Sequence, residues 1–262
     1  MKLTKRALLL GTLGLASYLL FLAITFPASQ AYTLFGDRLP VQAYGLSGSI
    51  WSGQAAVATI EGQRLEAVQW KLRPSHLLTG RLASDVQARL PNGSVSGYVN
   101  VSGNSLRARD LRLDMPVDQL LNMADVTLPA RIGGRFDISM RSLRIENERL
   151  TEADGMLTWH QATLNLGRPL QMGSLNLRLE PGEDGMINGT LISQGGPIDL
   201  SGDLRIRPDG DFDLEMTVRA LEGAEDAIGP AMGLLGIPAD GTPVRSRLSG
   251  NLDGTNIQLT EL

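Results

Sequence analysis

From Leu204 to Val218, apolar and polar residues alternate on both sides of a turn, Pro208-Asp209-Gly210. Strand side chains point to opposite faces at each step, so this hairpin has two unlike surfaces. Leu204, Ile206, Phe212, Leu214, Met216 and Val218 form a dry face, while Arg205, Arg207, Asp211, Asp213 and Glu215 form a charged one. A dry face of this kind has to be covered, which commits the chain to a sheet-built core. The same grammar recurs from Leu175 to Leu179 and from Ile187 to Ile192, around Glu180–Gly185. Both hairpins share Leu-Arg-(Leu or Ile)-x-Pro, at Leu177–Pro181 and Leu204–Pro208.

Gly and Pro (30 and 13 residues) fall between short alternating runs, the signature of many strands joined by tight turns. Further strands are expected at Ala55–Ile60, Ala67–Leu72, Ser84–Leu90, Ser94–Ser102, Ser105–Leu113, Phe136–Ile145, Gly155–Leu166, Pro197–Gly202 and Val244–Leu252. Helical signal is scarce. Pro116–Met123 suits a two-turn helix opened by Pro, and Pro74–Leu78 suits one turn. Ala224–Leu235 has helical texture interrupted by Gly229-Pro230.

The N-terminus is the exception to this pattern. Lys2, Lys5 and Arg6 precede twenty uncharged residues, Ala7 to Phe26. As a helix these would span roughly 30 Å, the thickness of a bilayer's hydrocarbon core. The basic stub places the N-terminus in the cytoplasm and the rest of the chain outside it. Ser29-Gln30-Ala31 resembles a cleavage site, but signal-peptide apolar regions are shorter than this one, so an uncleaved anchor is preferred.

With the stub set aside, 21 basic residues face 28 acidic ones, a net charge of −7 on the exported part. Nothing there forms the clustered positive surface that nucleic acid requires. Cysteine is absent, so disulfides, a thiol nucleophile and cysteine metal sites are excluded. His76 and His160 are the two histidines, one in a short turn and one in a strand, and no Gly-x-Ser-x-Gly elbow accompanies them. Two histidines without cysteine offer no recognisable zinc set. The acidic turns Asp209–Asp213 and Glu183–Gly185 do not continue into a calcium-loop pattern and read as turns. The glycines of Gly45–Gly53 lack a following helix to bind an anion; they read as bends or close approaches, with Trp51 an apolar anchor between them. No enzyme, cofactor or metal is expected.

A faint internal repeat pairs Gly48–Ala55 with Gly155–Ala162, each ending in Gln-Ala, with Trp51 and Trp159 displaced by one place. It suggests two similar halves, about 40–126 and 130–262, and a chance match of short sequences accounts for it equally well.

Two segments carry a family resemblance: Gly45-Leu-Ser-Gly48-Ser-Ile50-Trp51-Ser-Gly53-Gln-Ala55, then Val68-Gln-Trp70-Lys-Leu72-Arg-Pro74-Ser-His-Leu77-Leu78-Thr-Gly80-Arg81. With the anchor before them and Leu248-Ser-Gly250-Asn-Leu252 near the end, the chain resembles the protein N family of the bacterial type II secretion system. It is distantly similar to AsmA-like proteins. The resemblance implies a single-pass bacterial inner-membrane protein: stub 1–6, transmembrane anchor 7–26, periplasmic domain 27–262. The fold it implies is mainly β: a curved, mostly antiparallel sheet, open and gutter-like or a sandwich, with one or two short helices. The function expected is a non-enzymatic accessory role in export of folded proteins, through contacts with other secretion components. The alternative is a lipid- or hydrophobe-binding protein with an apolar groove. Structural or interaction roles fall to Gly48, Trp51 and Gly53 at the first strand bend, to Trp70, Leu72, Pro74 and Leu77 where a strand ends in a turn, and to Trp159.

Overall fold

In the computed structural model the alternating runs become strands, and every described pairing is antiparallel. Described are residues 2–38, 41–60, 62–77, 79–123, 131–165, 169–224, 237, 238, 240–254 and 256–261. The interrupted helical run after Ala224, the seam expected at 126–130 and Leu78 lie outside them. The chain divides into two compact units, Met1–Pro91 and Asn92–Leu262.

The first unit opens with helices α1 (Lys2–Thr25) and α2 (Ala28–Phe35). Strands β1 (Val41–Tyr44), β2 (Ser47–Gly48), β3 (Ser52–Ile60) and β4 (Gln63–Leu72) follow, then α3 (Pro74–Leu77) and β5 (Leu82–Leu90). Both β1 and β2 pair with β3, β3 pairs with β4, and β4 with β5. Within α1, side chains are described for residues 10–15, 17–19, 21, 22, 24 and 25. Among the described residues, no helix is long and apolar enough to cross a membrane.

The second unit runs β6 (Gly93–Ser102), β7 (Ser105–Pro116), α4 (Val117–Met123), β8 (Arg131–Glu146), β9 (Arg149–Asn165) and β10 (Pro169–Pro181). It continues through β11 (Ile187–Gln194), β12 (Ile198–Ile206), β13 (Asp211–Ala220), β14 (Val244–Asn251) and β15 (Gln258–Glu261). Each strand pairs with the next in sequence, so the unit is an open meander. The sandwich alternative is thereby corrected: consecutive hairpins extend one sheet sideways and supply no second sheet to face it.

Register explains the two surfaces. Val95, Leu113, Ile138, Leu157, Leu177 and Leu191 are successive cross-strand neighbours, a continuous apolar row over six strands. Met140, Ala153, Leu179, Ile187 and Ile206 form a buried cluster on this face, while Leu111, Ile138, Leu177, Leu204 and Phe212 pack on it half-buried. Each leucine fully buried there would contribute about 1.5–3 kcal/mol, so half-burial leaves part of that driving force unused. On the other face Arg219 pairs with Asp199 at 2.8 Å and Arg141 with Asp154 at 2.7 Å, and Arg247 meets Glu215. Exposed pairs contribute about 0–1 kcal/mol each, so the apolar face holds the sheet together.

Pro208-Asp209-Gly210 forms the expected tight turn: the Gly210 N–H donates to the Arg207 carbonyl at 2.9 Å, with Gly210 at φ +92°. Arg207 reaches both Asp211 and Asp213, occupying the carboxylates of that acidic tip and raising its own pKa, chiefly through the Asp213 hydrogen bond. The expected strands 197–202 and 204–206 are one strand, β12. Gly202 is no turn residue: a β-carbon there would lie 2.8 Å from the Glu215 carbonyl oxygen. Pro116 ends β7 rather than opening the helix, which starts at Val117. Besides α1, three short α-helices are described, where one or two were expected. The addition is α2, whose Ala28, Ala31, Tyr32 and Phe35 recur at one helical face.

Candidate functional site

The β3–β4 hairpin turns at Gly62 (φ +81°) and brings Gly53 opposite Trp70. There is no space for a side chain at Gly53. A β-carbon would lie 2.5 Å from Trp70 Cζ2 and 2.8 Å from the carbonyl oxygens of Ser47 and Ser49. Gly48 is confined in turn: at φ +84°, its β-carbon would lie 2.6 Å from the Ser52 carbonyl oxygen. Between them Ser49 N–H donates to the Ser52 carbonyl (2.9 Å), and Ser52 N–H to Ser49 Oγ (3.2 Å), closing a tight loop. Trp70 Nε1–H donates to the Ile50 carbonyl at 3.0 Å, and Leu72 N–H to the Trp51 carbonyl at 2.6 Å. Gly48, Trp51, Gly53, Trp70 and Leu72 are thus drawn into one junction, where the 48–53 loop locks onto the end of β4.

Downstream of the junction, α3 caps the strand. Arg73 N–H donates to the Ala83 carbonyl at 2.8 Å, and the Arg73 guanidinium pairs with Asp85 at 3.1 Å. That bracket holds Pro74 and Leu77 at the turn with Leu77 and neighbouring Leu82 exposed. His76 lies in α3, with Ser75 Oγ 3.3 Å from its Nδ1, whereas His160 belongs to β9 of the second unit.

Upstream of the junction, the end of α1 is fastened to it. Ile50 N–H donates to the Phe26 carbonyl at 3.1 Å, and Pro27 bridges to Ser49. Helix α2 then lies over the apolar side of the sheet. Tyr32 Oη donates to the Val41 carbonyl (3.1 Å) and accepts from Ala43 N–H (3.0 Å), so one phenol satisfies the outer edge of β1. An apolar cleft of about 410 Å³ remains between helix and sheet. Ala31, Phe35, Leu46, Ile60, Leu65 and Val68 are among its lining residues. The polar tips that reach it, Tyr32 Oη and Trp70 Nε1, are already hydrogen-bonded within the unit.

Trp159 belongs to the second unit and repeats part of this arrangement. Its Nε1–H donates to the Gly133 carbonyl at 2.9 Å, its ring packs on Phe136 at a 5.7 Å centroid distance, and a β-carbon on Gly134 would lie 2.7 Å from Nε1. The structural counterpart of Trp159 is therefore Trp70: each indole donates to a backbone carbonyl beside a glycine too crowded for a side chain. Trp51 precedes β3, and Ala55 and Ala162 of the Gln-Ala pairs are both buried.

The family model for the type II secretion system (T2SS), protein N, matches residues 40–246, which include the junction, α3 and most of the second unit. The chain belongs to the type II secretion system protein N family. Members to which it is similar include type II secretion system protein N of Vibrio cholerae serotype O1, 28% identical over 65% of this chain and 69% of the relative. That of Aeromonas hydrophila is 26% identical over 89% and 94%, and that of Klebsiella pneumoniae 25% over 84% and 86%. No solved structure matches. In this chain, sequence reasoning missed the residues that roof the cleft, Ala28, Ala31, Tyr32 and Phe35. Their i, i+3, i+4, i+7 spacing carries the signal, but beside the apolar segment the Ser29-Gln30-Ala31 pattern is weighed only as a cleavage site, and the helical period is not read.

Proposed function

We propose that this chain is a non-enzymatic, inner-membrane component of the type II secretion system, acting in export of folded proteins by contacts with other components of the machine. The single observation that carries the reading is the family match over residues 40–246. The relatives named type II secretion system protein N support it.

Anchoring by residues 7–26, with the N-terminus in the cytoplasm and 27–262 in the periplasm, rests on the uncharged stretch and its basic stub. It is supported by the exposure of Leu10, Leu13, Leu15, Tyr18, Phe21 and Ile24 on α1. A helix apolar around its circumference calls for an apolar surrounding. Because Phe26 and Pro27 are fastened to the junction, an inserted α1 would hold the first unit close to the membrane surface. Contacts would fall on the bracketed turn bearing Pro74 and Leu77, and on the edge strand β15 beside exposed Ile257 and Leu259. Photo-crosslinkers at Leu77 and Leu259 in cells should trap other secretion components, with the protein in the inner-membrane fraction. Recovery in a soluble fraction, or no secretion component trapped from either position, would overturn the reading.

A second reading, uptake of a lipid chain or other hydrophobe, is favoured by the apolar cleft under α2, whose polar tips are internally bonded. Native mass spectrometry of the full chain released from detergent tests it. Co-purified phospholipid lost on Ala31→Trp supports it, and a ligand-free spectrum counts against it.

A further inference from the structure

The face of the first unit opposite the α2 cleft carries a feature unlike the charged surface of the second unit. Ser47, Gln54, Gln69 and Gln87 are successive cross-strand neighbours on β2, β3, β4 and β5. All four are exposed. None of their side chains has a hydrogen bond or ion pair among the described residues. Ser52, Lys71 and Asp85 form a second row beside the first, and the two rows line a concavity of about 720 Å³.

A solvated strand face is ordinarily filled with charges that pair across strands, as at Arg219–Asp199 and Arg247–Glu215 in the second unit. Here the main row is one hydroxyl and three primary amides. A glutamine amide offers two donors and an acceptor, a combination suited to a partner that presents donor and acceptor on the same group. Neighbouring strands lie about 4.8 Å apart, so four strands place these groups over roughly 14 Å at even spacing. Sugar hydroxyls both donate and accept, and an extended glycan repeats them at intervals of similar size. Charge disfavours the other partners. Arg73 is engaged with Asp85, leaving Lys71 and, two residues beyond Gln87 on β5, Arg89 as the cations nearest the row, too few for a polyanion. The cavity is also too polar for a lipid chain.

We propose that the exposed face of β2–β5 is a binding site for an extended, uncharged glycan strand, read by the amides of Gln54, Gln69 and Gln87 with Ser47 at one end. The glycan lies across the strands, parallel to the row, with Lys71 at its margin. This surface lies across the sheet from the apolar cleft, with Trp70 bordering both, and the proposal does not depend on the cleft.

The test is isothermal titration of the full chain in detergent with two probes, the N-acetylglucosamine tetramer and cellotetraose. Saturable binding of at least one is expected. Gln69→Ala, which removes the middle contact, should weaken it about tenfold, the loss of one or two hydrogen bonds. The triple change of Gln54, Gln69 and Gln87 to Ala should abolish it, while Thr217→Ala on the polar face of the second unit should leave it unchanged. Gln54→Ala and Gln87→Ala, on separate strands, give independent readings should Gln69→Ala fail to fold. No saturable binding of either probe at millimolar concentration would overturn the proposal. So would binding that survives the glutamine substitutions, or an extended peptide that displaces the sugar and binds more tightly.

Discussion

Gly53 has no conformational need to be glycine; what it lacks is space, with the Trp70 ring on one side and two carbonyl oxygens on the other. Gly62 is the opposite case, at φ +81° with nothing within 4 Å of a β-carbon. Gly53→Ala should therefore cost about 1–3 kcal/mol of stability by overpacking. Gly62→Ala should cost only the left-handed backbone penalty, about 1 kcal/mol. Urea unfolding of both variants checks the ranking. Tyr32→Phe removes one oxygen that serves two backbone groups of β1. It should cost about 1–2 kcal/mol and speed hydrogen exchange at the Ala43 amide, leaving exchange in the second unit unchanged. The glycines and tryptophans of this junction were legible in the sequence as a bend with an apolar anchor. The likeness of Trp70 to Trp159 was not: Trp51 and Trp159 share a sequence context, whereas Trp70 and Trp159 share a geometry made by strand pairing.

Hairpins were the legible elements, because period-two alternation and a Pro-Asp-Gly turn are local signals that a sheet only has to accept. Pairing register and bulges are not local. In β4 the register shifts between Glu66 and Gln69, with Ala67 at φ +48°. The extra residue keeps Leu65 and Val68 on the cleft side despite their odd spacing. Ala67→Val should destabilise by about 1–2 kcal/mol in a left-handed position hostile to β-branching, and Ala67→Gly should be neutral or better. Thermal melts distinguish the two. Deleting Ala67 should do more, shifting one side of β4 relative to the other and forcing either Leu65 or Trp70 out of the apolar layer. Strands β1, β2 and β15 are four, two and four residues long, too short to display alternation. Helix α2 escaped notice because it is eight residues long, without a side-chain N-cap, and follows the apolar stretch of α1 directly.

As a whole molecule, the chain consists of two β-rich units, the first of which opens with the helix α1, and each is built by antiparallel strand addition with one apolar face. The mainly β character and the family were both legible, since each rests on patterns that survive without tertiary information. The choice between open sheet and sandwich was not, because both need the same alternation; only the pairing of each strand with its sequence neighbour decides it. The function proposed is one of position: contact surfaces held where the helix α1 places them. Its most direct test is secretion itself, in bacteria lacking this protein and complemented with the full chain. Without it, a folded substrate of the system should accumulate in the periplasm and return to the medium on complementation. Secretion at the normal level without the protein, under conditions where the substrate depends on the system, would contradict the account.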